Sequence, residues 1–87
     1  MNAVFINSVR AKQRANAKRI YEVWREKLVV ASLDGKKEMR LFPTMVPRAG
    51  TMDYPSDGEV ALARAMLIEK DEFKLRQGWF FWYVVLA

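Results

Sequence analysis

Residues 78–87 read Gly-Trp-Phe-Phe-Trp-Tyr-Val-Val-Leu-Ala, five consecutive aromatic residues followed by four aliphatic ones. As a helix, residues 79–87 reach only about 14 Å against a hydrocarbon core of about 30 Å, so they cannot span a membrane. Read as a strand over residues 79–86, the run sends Trp79, Phe81, Tyr83 and Val85 to one side and Phe80, Trp82, Val84 and Leu86 to the other. Both sides are apolar. A chain of 87 residues makes one domain with one thin core, burying roughly 60–65% of its unfolded surface. One of the two sets therefore packs inside, and the other is expected to meet something outside the chain. Three rings at about 150–250 Å² each approach the patch size that marks an interaction site.

The rest of the chain supplies two helical patterns. Ala3-Val4-Phe5-Ile6 is a short apolar run with β-branched content, expected as a first strand, and Asn7 and Ser8 are good helix N-caps. Over residues 8–27 the period is helical, with Val9, Ala17, Ile20, Tyr21, Val23, Trp24 and Leu28 in one stripe. Continued to Gly35, that helix would turn Val29, Val30 and Leu33 to its polar side, so the period is expected to change near Leu28. Asp34-Gly35 is a favoured two-residue hairpin turn. Pairing outward from it sets Leu28 opposite Leu41 and Val30 opposite Met39. Residues 43–55 hold all three prolines and form a long Pro-containing loop. Ser56 to Glu59 fits a capping box opening a second helix through about Lys70, apolar on most sides and expected to be the more buried of the two. Residues 73–76 alternate apolar and basic, as a further short strand would, and Gln77-Gly78 can turn.

The resulting expectation is an α+β two-layer sandwich in β-α-β-β-α-β order. That is the ferredoxin-like order, with an antiparallel sheet and two helices on one face.

Charge is spread unevenly. Residues 1–27 carry seven basic and two acidic side chains, a net of +5 that equals the net charge of the whole chain. On a helix Arg10, Arg14 and Lys18 project together, and Arg25 returns to the same side two turns later. Such a stripe suits the phosphates of DNA or RNA, and equally a solvated helix face or an acidic protein. Cysteine and histidine are absent. The usual base near neutral pH, the usual strong nucleophile and any Cys/His zinc site are thereby excluded. The remaining carboxylates, Asp53 with Asp57 and Asp71 with Glu72, are a weak metal signal. No cofactor and no metal is expected. The first residues lack the order of a signal peptide, and a cytoplasmic location is expected.

These features point to a small non-enzymatic protein-interaction module, acting as a homodimer, adaptor or inhibitor-type regulator. Its expected partner-binding residues are Trp79, Phe81, Trp82 and Tyr83. The alternative is a nucleic-acid-binding domain that contacts phosphates through Arg10, Arg14, Lys18 and Arg25.

Overall fold

One helix sets the length of the molecule. The structure, a computed structural model, describes residues 3–42, 46–48, 51–53 and 55–87. Helix α1, Ala3–Leu33, has 31 residues and spans about 46 Å at 1.5 Å per residue. This matches the longest dimension of the molecule, 48 Å. The radius of gyration, 14.2 Å, exceeds the roughly 12 Å of a compact chain this long. Residues 3–12 account for the excess, since nearly every side chain there is exposed. A free helix of that length is marginal in water, but here it extends a packed helix and carries no nucleation cost.

Strand β1, Glu38–Leu41, follows α1, and a two-stranded ladder of β2, Val46–Arg48, and β3, Thr51–Asp53, comes next. That ladder lies within the expected 43–55 loop, of which residues 43–45, 49, 50 and 54 lie outside the described residues. Helix α2, Asp57–Asp71, then leads to β4, Lys74–Gln77, and β5, Trp82–Val85. The main sheet is antiparallel in the order β1-β5-β4.

The observed elements differ from the sequence expectation in α1, at Asp34-Gly35 and in the strand order. Ala3-Val4-Phe5-Ile6 is the first turn of α1 and not a strand. The helix does not stop at Lys27 but runs on to Leu33. Asp34-Gly35 closes that helix instead of turning a hairpin. Gly35 has φ +74°, its N–H donates to the Ser32 carbonyl (3.1 Å) and that of Lys36 to the Ala31 carbonyl (3.0 Å). This is the paired-bond ending that a left-handed residue gives a helix. The expected pairs Leu28–Leu41 and Val30–Met39 therefore do not form, because Met39 and Leu41 pair with Val84 and Trp82. With the first strand and the hairpin gone, the β-α-β-β-α-β ferredoxin-like order falls, leaving an α+β chain of different topology.

The core is where the helices meet one sheet face. Ala17, Ile20, Tyr21, Trp24, Leu28 and Ala31 form the buried stripe of α1 at helical spacing. Of the expected stripe, Val9 is exposed. On α2 the buried line is Glu59, Ala63 and Leu67, one every four residues. Ala17 and Ala63 have no side chain beyond Cβ, which lets the two backbones approach. The buried line of α2 is narrow, and Leu62 and Ile68 are exposed. Leu41 and Val84 close the core from the sheet, with Met39, Leu75, Trp82 and Leu86 packed around them. Ser56 caps α2 as its sequence implies. Its hydroxyl accepts from the Glu59 N–H (3.3 Å) and donates to the Glu59 carboxylate (3.1 Å).

Candidate functional site

Register decides what the terminal segment shows to each side. Tyr83 stands between Arg40 of β1 and Arg76 of β4, and Val85 between Glu38 and Lys74. Side chains alternate along a strand, so Met39, Leu41, Leu75, Trp82 and Val84 face the helices. Glu38, Arg40, Lys74, Arg76, Tyr83 and Val85 make the open face. The expected partition holds only along β5, where Trp82, Val84 and Leu86 pack. The expected strand start at Trp79 is corrected, because residues 78–81 are a turn that exposes both Trp79 and Phe80.

The open face is a lattice of arginines laid on rings. The Arg40 guanidinium sits 4.5 Å from the Phe42 ring centroid and 4.8 Å from that of Phe81. Those two rings lie 5.5 Å apart, tilted by 57°. Arg76 lies 4.3 Å over Tyr83 and reaches Glu38 across the sheet at 3.1 Å. On the helix side Arg64 of α2 lies 4.8 Å over Trp82. The rim of the cluster is tied to the core, because the Trp24 indole donates to the Phe42 carbonyl at 2.8 Å. Guanidinium on a ring face is favourable at the exposed level of about 0.5–1 kcal/mol, and it holds the charged group in one place.

Residues 78–81 join β4 to β5. The Gly78 N–H donates to the Phe81 carbonyl at 2.7 Å, which closes the turn. Glycine is required there: a Cβ on Gly78 would come 2.6 Å from Tyr83 Cε2 and 2.9 Å from the Phe81 carbonyl oxygen. The turn presents Trp79 and Phe80 outward, 92% and 83% exposed. Of the five consecutive rings, Phe81, Trp82 and Tyr83 each carry an arginine. Trp79 and Phe80 make no ring contact, hydrogen bond or ion pair among the described residues.

The expected partner-binding residues therefore separate. Trp79 stands bare at the hairpin tip, Phe81 and Tyr83 are half-buried on the open face, and Trp82 packs against the core. Phe80, Arg40 and Arg76 complete the surface and were not among the expected site residues. The turn at Gly78 was the available signal for Phe80, since it interrupts the strand alternation. For the arginines it was the alternation of charge through β1 and β4.

The basic residues of α1 also separate. Arg10, Arg14 and Lys18 are exposed on the same helix side. Arg25 is held by α2, its Nε 3.4 Å from Asp71 Oδ1. The same carboxylate accepts from the Tyr21 hydroxyl, and Lys70 lies over the Tyr21 ring at 5.5 Å. That hydrogen bond, reinforced by burial and by the negative charge of Asp71, pushes the Tyr21 phenol above its ordinary value. Among the described residues no group of His, Cys, Asp and Glu could hold a metal ion, and no helix is long and apolar enough to cross a membrane. No known family, curated protein or solved structure matches this chain.

Proposed function

We propose that this chain is a small non-enzymatic protein-interaction module that meets its partner through the β4–β5 hairpin tip and the open sheet face beside it. The observation that carries this reading is the pair of bare rings, Trp79 and Phe80, on a turn whose geometry allows only glycine at its first position. Apolar rings presented to water on a fixed turn give the free chain nothing, whereas Trp and Tyr anchor interfaces with a disproportionate share of the energy. Two rings offer about 300–500 Å². A stable interface needs about 800 Å² from each side, so the adjacent face with Arg40, Phe42 and Tyr83 supplies the remainder. A second copy of the chain, or an unrelated protein, meets this requirement.

The test is the double substitution Trp79→Ser with Phe80→Ser. Both sites are exposed, so folding stability should move by no more than about 0.5 kcal/mol. Association should be lost, read as mass in solution by sedimentation and as proteins retained by the immobilised chain. Equal association by the variant and the parent would contradict the reading.

A second reading, phosphate contact through α1, has one observation in its favour. Arg10, Arg14 and Lys18 lie exposed on a helix segment whose surroundings are largely solvent.

A further inference from the structure

We infer that the partner segment received by the open sheet face is acidic, and that Arg40 is the group that binds its carboxylate. The inference rests on the proposed protein-interaction role and adds the chemistry of the occupant.

The cationic groups around the site are not equivalent. Arg76 is satisfied by Glu38 at 3.1 Å, and Arg25, on the helix layer, by Asp71 at 3.4 Å. Arg40 has no carboxylate and no other hydrogen-bond acceptor among the described residues. Its guanidinium is nevertheless held in place, lodged over Phe42 and Phe81 at 4.5 and 4.8 Å. A ring contact uses up none of the guanidinium's N–H donors in a conventional hydrogen bond, so they stay available to an acceptor. A planar fork already fixed on rings loses little freedom when a carboxylate docks, and it matches that group bidentately. The surroundings add the same sign, since Lys74 and Arg76 share the open face and Glu38 is its one acid among the described residues, already engaged.

Nucleic acid would also answer positive charge, but it binds such surfaces by stacking bases on free ring faces. On this face the rings are already capped, Phe42 and Phe81 by Arg40 and Tyr83 by Arg76. A carboxylate needs only the donors that stacking spares. The uncapped rings, Trp79 and Phe80, sit at the tip, where they suit apolar side chains flanking the acid.

A random peptide library displayed against the whole chain tests this, run in parallel with Arg40→Gln and with Trp79→Ser/Phe80→Ser. Arg40 is exposed, so the glutamine variant should fold, which circular dichroism verifies. The wild type should select peptides enriched severalfold in Asp and Glu beside apolar residues. Arg40→Gln should lose the acidic enrichment while keeping the apolar one, and should weaken a selected acidic peptide by roughly tenfold or more, as expected for a charge-assisted hydrogen bond. Selection of apolar peptides with no excess of acid, or the same acid excess on Arg40→Gln, overturns the inference and leaves the interaction role standing. Selection of nothing at all overturns both. Single-stranded oligo(dT) or oligo(rU) that binds more tightly than the selected peptides, and is lost on Arg40→Gln, overturns the choice of an acidic protein segment.

Discussion

Substituting Gly78 by alanine asks whether the turn that presents the bare rings is built as described. The new Cβ would lie 2.6 Å from Tyr83 Cε2 and 2.9 Å from the Phe81 carbonyl oxygen, where carbon contacts prefer about 3.5–4.0 Å. The Tyr83 ring can swing aside only by leaving Arg76, which lies 4.3 Å above it. The Phe81 carbonyl is backbone, tied to the Gly78 N–H at 2.7 Å, so relief on that side stretches the bond closing the turn. Overpacking of this kind costs about 1–3 kcal/mol, a large share of the roughly 4–13 kcal/mol expected for a domain of this length. At about 4–8 °C per kcal/mol, the melting temperature followed by circular dichroism should fall by about 4–24 °C. Repeating the change in a Tyr83→Ala background should cost less, because one of the two close contacts is gone, and the difference is their coupling energy. A Gly78→Ala variant that melts with the parent, or whose cost is the same in both backgrounds, would refute the reasoning.

Two further outcomes follow from the helix layer. Tyr21 should ionise above the ordinary tyrosine value, chiefly because its hydroxyl donates to Asp71, and a spectrophotometric titration of the parent against Tyr21→Phe isolates that step. A phenol whose folded value is raised stabilises the fold fully below its unfolded value of about 10 and loses that contribution as pH climbs through the folded one. Alkaline destabilisation should therefore be shallower in Tyr21→Phe, and an ordinary titration would contradict the geometry. If α1 contacts phosphates, replacing Arg10, Arg14 or Lys18 should each make the log–log salt dependence of DNA or RNA binding shallower by about one. Arg25, engaged by Asp71, should change the slope least, and equal changes at all four positions would show that this sorting is mistaken.

What the residues disclosed in advance, and what they hid, has a common physical root. Ser56 and Glu59 revealed the start of α2 because capping is local chemistry. The two-sided character of the terminal strand was legible because alternation follows from backbone geometry alone. Gly35 was legible only in part. Its left-handed φ of +74° is the property a tight hairpin needs, but a helix ending needs it too. Nothing within a few residues separates the two uses. The choice turned on Val29, Val30 and Leu33, which a continuous helix strands in solvent at 55%, 58% and 82% exposure. The chain accepts that exposure. Helix propensity separates such residues from alanine by less than about 0.7 kcal/mol each, and Leu28 and Ala31 on the same helix are buried in return. Ala3 to Ile6 misled for the same reason, since β-branched content is a weak preference that an adjoining helix overrides. The arginine lattice was hidden because it joins β1, β4 and β5, a pairing that local sequence does not encode.

Trp79 is bare in the isolated chain, and the three indole N–H signals measure this directly in one NMR spectrum. With a soluble gadolinium chelate added, at a concentration where light scattering gives a monomer, the Trp79 signal should broaden most. Trp24, 2% exposed with its indole bonded to the Phe42 carbonyl, should broaden least, with Trp82 between them. A Trp79 signal as protected as that of Trp24 would mean that the chain covers its own tip and has no anchor to offer a partner.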